Sequence, residues 1–155
     1  MTRRSWWLTA WWLVTVLAYA GLSRVWNDTE SSWYRSLTEP WWQPPDLTFA
    51  IVWPVNYLAL AVVGVLISRN RPDASSRMLA VFAVSVVFAL GWAYLFGQQE
   101  LLGGSAAALV IAAVLTWLLN ALGWRAGRWY GAGLVIYTVW MTLAASLSVG
   151  FVVLN

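Results

Sequence analysis

The chain has 155 residues and a net charge of +3, and 61% of its residues are hydrophobic while only 10% are charged. Soluble domains carry about 25% charged residues, so this composition indicates a membrane protein. The sequence contains no Cys and no His. This excludes disulfides, zinc sites built on these residues, Ser–His triads, Cys nucleophiles and His or Cys ligands to a haem iron.

Five apolar segments without charged residues follow one another along the chain. Each is close to the roughly 20 residues that a helix needs to cross a bilayer core. Lipid offers no partner to backbone polar groups, so each segment is predicted to be helical. We therefore predict an all-α membrane protein, a single domain over 1–155 with a long first loop at about 23–46. The predicted transmembrane helices are 5–22, 47–67, 78–97, 101–122 and 129–154.

The first span has a second interpretation. Thr2-Arg3-Arg4-Ser5 precedes an apolar stretch that ends Ala18-Tyr19-Ala20-Gly21, which is similar to a signal peptide with a twin-arginine start and an A-x-A cleavage site. We favour a retained helix, because four more spans follow and a protein with so little soluble mass gains nothing from a cleaved leader.

The run from Trp33 to Tyr57 joins the first loop to the second span and is unusually rich in rigid residues. It holds four tryptophans, four prolines and two tyrosines. Proline fixes φ and removes an N–H donor, and tryptophan brings a large flat surface with one polar edge. The first loop is therefore predicted to be a rigid aromatic lid, and Pro54 is predicted to kink the second helix.

Aromatic residues also form stripes on three of the spans. Phe49, Trp53 and Tyr57 share one helix face, and so do Trp92 and Phe96; the fifth span carries a stripe of Tyr137, Trp140, Ala144 and Ser148. Four tryptophans lie deep in the spans and suggest an aromatic-lined cavity; they are Trp53, Trp92, Trp117 and Trp140. Ordinary core packing explains such stripes equally well, and the sequence leaves both interpretations open.

Small and polar residues within the spans indicate helix contacts rather than ion transport. Ser85, Ala89 and Ala93 form a seam of small residues on the third span, which either joins two copies in a homodimer or packs inside one monomer. No ionisable Asp, Glu, Lys or Arg lies within a span, which disfavours a proton relay or a coupled ion pump.

The arginines predict the topology. Seven fall on one side of the five-helix layout, and only Arg24 and Arg35 fall on the other; the seven are Arg3, Arg4, Arg69, Arg71, Arg77, Arg125 and Arg128. By the positive-inside rule, the N-terminus is cytoplasmic, and the first loop and the C-terminus are outside. Because the arginines sit at span ends, no nucleic-acid partner is needed to explain the charge.

The order of these residues resembles the TspO/MBR family, which includes the tryptophan-rich sensory proteins of bacteria and the mitochondrial translocator protein (the peripheral benzodiazepine receptor). The resemblance covers nearly the whole chain. Its strongest part is Trp33-Tyr34…Leu37…Pro40-Trp41-x-x-Pro44-Pro45…Phe49…Trp53…Tyr57, and partial matches are Trp92-x-x-x-Phe96 and Tyr137-x-x-Trp140…Ala144…Leu147.

The resemblance implies a five-helix fold whose first loop caps an internal cavity for tetrapyrroles such as protoporphyrin IX. It implies a sensory or regulatory role with a tetrapyrrole as the ligand. From the seam of small residues on the third span we predict a homodimer through that helix, and we predict no covalently bound cofactor and no metal site. Some bacterial members of the family break down porphyrin in light. For this chain the resemblance implies the same possible reaction, with Trp53 and Trp140 at the catalytic positions. The ligand-binding positions that it implies are Trp33, Leu37, Pro40, Trp41, Pro44, Pro45, Phe49, Tyr57, Trp92, Phe96, Tyr137, Ala144 and Ser148.

Departures from the family pattern mark this chain as a divergent member. The family's usual Asn is Ala89 here, its usual Gln is Ser85, its usual Pro is Ile136, and the Asn that closes the last motif is Ser148. Each change removes a polar group or a kink from the inner half of the implied cavity. Two other functions remain open: a carrier of small lipophilic ligands such as sterols or tetrapyrroles, and a structural bundle that binds a protein partner.

Overall fold

The computed structural model describes residues 3–26 and 31–155. Within these ranges the chain is all α-helical, as predicted, and five helices are long and apolar enough to cross a membrane. Residues 27–30 of the lid, and Thr2 of the leader motif, lie outside the described residues. The helices are α1 Arg3–Trp26, α2 Ser32–Ser36, α3 Asp46–Asn70, α4 Pro72–Gly97, α5 Leu102–Ala126 and α6 Arg128–Leu154.

The five long helices extend beyond the predicted spans. Arg24, Arg69 and Arg125 each lie in the last turn of a helix, where a cation is favoured by the helix dipole and a long side chain can reach the interface. The sequence patterns did not predict α2. This short helix forms because Ser31 caps it, and its Oγ accepts a hydrogen bond from the Tyr34 backbone N–H at 3.1 Å.

The five long helices form a ring in which α1 stands between α3 and α4. Around the rest of the ring, α4 contacts α5, α5 contacts α6, and α6 returns to α3, while α3 also contacts α4 directly. α1 packs against both α3 and α4. Pro54 lies inside α3, and the kink expected there stays a prediction.

Trp12 of α1 is the best-anchored side chain of the core. It is fully buried, and its indole stacks on Phe82 of α4 with the ring centroids 4.9 Å apart. Its Nε1–H donates to Ser75 Oγ at 3.0 Å, and Ser75 is in turn hydrogen-bonded to Ser68 of α3 at 2.8 Å. The indole therefore joins three helices by stacking and by a polar chain that lipid cannot replace.

Close approach of α1 and α3 depends on Gly64. A Cβ placed on Gly64 would lie 2.7 Å from the Trp12 ring, well inside van der Waals contact. A second close approach closes the α5–α6 hairpin, where Asn120 Nδ2 donates to the Gly131 carbonyl at 2.9 Å and Asn120 Oδ1 accepts from Trp124 Nε1 at 2.9 Å.

The seam of Ser85, Ala89 and Ala93 packs inside the monomer. All three residues are buried, and Ser85 Oγ donates to the Ala112 carbonyl of α5 at 3.1 Å. Of the two interpretations that the sequence allowed for this seam, the intramolecular one describes the bundle. A dimer through α4 would have to use its outward face, where Val84 and Val87 are exposed.

We expect Gly64→Ala to destabilise the protein by about 1–3 kcal/mol, because the added methyl group must displace the Trp12 ring from its stack on Phe82. Thermal unfolding in detergent, followed by near-UV circular dichroism, measures the change. Gly91→Ala is the matched control, since a Cβ at Gly91 meets nothing within 4 Å. Equal stability of the two variants would contradict the role of Gly64.

Candidate ligand-binding cavity

A cavity of about 660 Å³ lies among the five long helices, towards the end of the bundle that carries the lid. Its volume falls in the range of about 300–1,000 Å³ that is typical of small-molecule sites. All five helices contribute to its walls. The lining residues are Tyr19, Ala20, Ser23, Arg24, Phe49, Ala50, Trp53, Pro54, Tyr57, Ala89, Trp92, Leu109 and Ala144.

The α3 wall is a continuous aromatic surface. Trp53 and Tyr57 are one helical turn apart, and their rings stack with centroids 5.6 Å apart and planes inclined by 23°. Tyr19 of α1 meets both rings edge-on, at 5.9 Å and 5.4 Å. The Tyr57 hydroxyl is hydrogen-bonded to Ser23 Oγ at 3.1 Å, so α1 holds this wall in a fixed orientation.

Trp140 of α6 supports the α3 wall from the protein side. It is only 6% exposed, and its ring lies edge-on to Phe49 at 5.2 Å and to Trp53 at 6.2 Å. Its buried Nε1–H has no hydrogen-bond partner among the described residues. The two proposed catalytic positions, Trp53 and Trp140, are therefore neighbours, with Trp53 at the cavity surface and Trp140 behind it.

The α4 wall is fixed by a bond to α6. Trp92 Nε1 donates to Ser148 Oγ at 3.1 Å, and the Trp92 ring stacks on Phe96 at 5.6 Å. Ser148 stands where the family usually has Asn, and it keeps a hydrogen-bond acceptor at that place. Ala89 contributes only a methyl group to the cavity surface, so this part of the wall is apolar.

The lid packs against the ends of α4 and α6. Trp33 meets Phe96 edge-on at 5.1 Å, and Gln43 donates to the Tyr34 hydroxyl at 3.2 Å. Burial raises the pKa of Tyr34 above its ordinary value, and the bond from Gln43 lowers it in part. The phenol therefore stays protonated at neutral pH.

Two further contacts attach the lid to α6. A Cβ on Gly150 would lie 2.7 Å from Pro40, so the lid chain lies directly on this glycine. Thr38 N–H donates to Asn155 Oδ1 at 2.8 Å, and Asn155 Nδ2 donates back to the Thr38 carbonyl at 3.2 Å. The second half of the lid is thus held by a paired amide contact at the end of the bundle.

The structure brings only part of the predicted site to the cavity surface. Five predicted residues line it: Phe49, Trp53, Tyr57, Trp92 and Ala144. Four more predicted residues lie just outside the lining, where each contacts a lining residue or another of the four. They are Trp33, Phe96, Trp140 and Ser148. Lid residues outside the lining are Leu37, Pro40, Pro44, Pro45 and Trp41, of which Trp41 is 91% exposed.

Two aromatic residues that the sequence placed at the cavity lie elsewhere, Tyr137 from the stripe on the fifth span and Trp117 from the deep tryptophans. Tyr137 is fully buried in the core, edge-on to Phe82 at 6.5 Å. Trp117 is 56% exposed on the outer surface, and its Nε1 donates to Thr142 Oγ1 at 3.0 Å. The grouping of Trp117 with the deep cavity tryptophans was therefore wrong, because depth in a span does not tell which way a side chain faces.

The contributions of Tyr19, Ala20 and Ser23 of α1 and of Leu109 of α5 to the cavity were missed. Tyr19 and Ser23 are four residues apart and therefore share a helix face. That aromatic–polar pair was the signal in the sequence. Leu109 of α5 carried no signal, since it is one of many apolar residues in its span.

These features define a multi-pass integral membrane protein whose spanning helices surround an aromatic cavity, at the end of the bundle on which the first loop packs. The chain matches the model of the TspO/MBR family over residues 7–154 and belongs to that family.

Three relatives cover most of the chain. The tryptophan-rich sensory protein of Cereibacter sphaeroides is 28% identical over 120 residues, which are 75% of this chain and 72% of that protein. Protein CrtK of Rhodobacter capsulatus is 26% identical, over 76% of this chain and 74% of that protein. The tryptophan-rich protein TspO of Chlorobaculum tepidum is 32% identical over 81% of both chains.

We expect Asn155→Ala to speed amide exchange in the lid by roughly tenfold, because two hydrogen bonds to Thr38 are lost at about 0.5–1 kcal/mol each. Hydrogen–deuterium exchange of peptides covering 31–45 measures the effect. Asn155→Asp keeps the acceptor for the Thr38 N–H and should give an intermediate rate. An unchanged rate in Asn155→Ala would show that the other lid contacts, such as Pro40 on Gly150 and Trp33 on Phe96, hold the lid without these two bonds.

Proposed function

We propose that this protein binds a tetrapyrrole such as protoporphyrin IX in the aromatic cavity, in a sensory or regulatory role. The observation that carries the proposal is the stacked pair of Trp53 and Tyr57 on α3, in the same cavity as Trp92 of α4. A porphyrin is a flat π-system, and offset stacking on an indole or phenol ring is worth about 0.5–1.5 kcal/mol beyond the burial of its area.

The distribution of apolar and charged side chains in the cavity suits a ligand with an apolar ring and charged side groups. The walls are largely aromatic and aliphatic, which suits the macrocycle, and Arg24 is the one charged residue among those that line the cavity. Arg24 is exposed and lies near the end of α1. A guanidinium there can pair with a propionate carboxylate while the ring stacks on the α3 wall.

The sensory role is supported by family membership and by the name of the Cereibacter sphaeroides relative, a tryptophan-rich sensory protein. We further propose that the N-terminus is cytoplasmic and that the lid and the C-terminus face outside, since arginines are concentrated at the other end of the bundle. A homodimer through the outward face of α4 is part of the same proposal.

We expect protoporphyrin IX to quench tryptophan fluorescence saturably at micromolar concentration in detergent-purified protein. Trp53→Leu should weaken binding roughly tenfold, because the stacking and the buried area of the indole are lost. Absence of saturable quenching in the native protein would overturn the proposed function.

Arg24→Gln should weaken binding of protoporphyrin IX about two- to fivefold, which is the range for an exposed ion pair. It should leave binding of protoporphyrin IX dimethyl ester unchanged, since the ester has no carboxylate. Arg35→Gln is the control, because Arg35 lies on the lid helix and outside the cavity lining. Equal losses for the acid and the ester would remove Arg24 from carboxylate recognition.

A light-driven reaction is a second candidate, favoured by the contact of Trp53 with Trp140 at 6.2 Å. In this scheme the photoexcited ring takes one electron from the Trp53 indole and returns it on recombination, which leaves the ring in its triplet state. The triplet passes its energy to molecular oxygen, and both oxygen atoms add across one bridge double bond and open the ring. The porphyrin itself is oxidised, and the role of the protein is to hold it in position beside the tryptophans.

Trp53→Phe combined with Trp140→Phe should abolish light-dependent loss of the porphyrin Soret band while the protein stays folded, because phenylalanine is far harder to oxidise than indole. Absorbance under illumination, compared with a dark sample, measures the reaction. Trp117→Phe is the matched control on the outer surface. Unchanged turnover in the double variant would remove both tryptophans from the mechanism.

A further inference from the structure

We propose that a second cavity, at the end of the bundle away from the lid, binds the phosphate group of an anionic ligand. It has a volume of about 430 Å³ and lies between the α3–α4 connection and the last turns of α5. Three arginines line it: Arg71, Arg77 and Arg125. They come from the α3–α4 connection, from α4 and from α5, so the fold brings them together.

The charges in this cavity are not balanced by the described part of the protein. Asp73 also lines the cavity, but its Oδ1 is 2.6 Å from Arg4 Nη1. This is the one ion pair within residues 3–26 and 31–155. Three guanidinium groups that share one concave surface repel each other. A bound anion removes that repulsion.

One feature favours phosphate in particular, and a second favours anions in general. Each guanidinium presents a planar fork of donors that matches phosphate oxygens, and three forks can serve a group with three or four oxygens. In addition, α4 begins at Pro72, beside the cavity. Pro72 has no N–H, so the first backbone donors of α4 are those of Asp73 and Ala74, and the positive end of the helix dipole favours negative charge at the same place.

The floor of the cavity is apolar. Met78 is 1% exposed, and it lines the cavity together with Ala74, Leu122 and Ala126. A cationic rim above an apolar floor, at the end of membrane-spanning helices, suits the headgroup and glycerol of an anionic phospholipid. A soluble phosphate would use the rim alone. The shared chemistry is the phosphate group, and the two sources are separable by experiment.

The test compares two triple variants with the same loss of charge. Arg71→Gln/Arg77→Gln/Arg125→Gln removes the rim, whereas Arg3→Gln/Arg69→Gln/Arg128→Gln removes three arginines at the same end that do not line the cavity. Native mass spectrometry in detergent measures retention of added phosphatidylglycerol against phosphatidylcholine. Thermal unfolding with inorganic phosphate, against chloride at equal ionic strength, measures the soluble anion.

We expect the rim variant to retain phosphatidylglycerol on the order of tenfold more weakly than the control variant, because both lose three surface charges but only the rim variant loses the guanidinium forks that would bind the phosphate. Arg71→Lys/Arg77→Lys/Arg125→Lys keeps the charge without the forks and should be intermediate. A native far-UV circular dichroism spectrum in every variant verifies that the bundle is folded, and because this check uses no porphyrin, the test is independent of the proposed function.

Selective retention of phosphatidylglycerol that the rim variant loses supports a lipid site. Stabilisation by inorganic phosphate that the rim variant loses supports a site for a soluble phosphate. Equal effects in the rim and control variants would show diffuse surface attraction and overturn the proposal. Absence of any preference for phosphatidylglycerol or phosphate in the native protein would overturn it as well.

Discussion

Polar side chains inside the spanning helices can find partners only in other helices or in their own backbone, and this constraint orders the bundle. Trp12 satisfies it through Ser75 and Ser68, which joins α1, α3 and α4 at one point. Ser85 satisfies it through the Ala112 carbonyl and joins α4 to α5. The hairpin of α5 and α6 and the α4 wall of the cavity rest on bonds of the same kind. Small residues such as Gly64 matter because they let these partners meet.

The aromatic cavity lies beside buried polar side chains that have no hydrogen-bond partner among the described residues. Asn56 and Trp140 are buried, and among the described residues no partner satisfies the Asn56 side chain or the Trp140 Nε1–H. Real proteins break such local rules mainly at functional sites. The departures from the family pattern act in the same place. Ala89 leaves an apolar surface, while Ser148 still anchors Trp92. To the ligand that we propose, this cavity therefore offers mainly ring stacking, with Arg24 as the one charged side chain in its lining.

The two ends of the molecule offer different chemistry. At the lid end, aromatic walls and a single cation suit a large flat ring with few charges. At the other end, three arginines above an apolar floor suit a compact anion. The arginine count in the sequence predicted a basic end but not a cavity in it, because Arg71, Arg77 and Arg125 belong to segments that only the packing of α4 on α5 brings together. A lipid held there would contact both of these helices.

The sequence by itself determined the five spans, the aromatic lid motif and the α3 wall, because span length, absence of charge and i, i+4 spacing are local properties. It also identified the family. Only the tertiary structure decided which deep tryptophans face the cavity. Trp92 and Trp117 both lie deep in apolar helices, yet one lines the cavity and the other faces outwards. A membrane helix is apolar on all sides, so its inward face carries no periodic signal. Leu109 was missed for this reason, and the attachment of the lid to Asn155 depends on a contact between residues 117 positions apart in the chain.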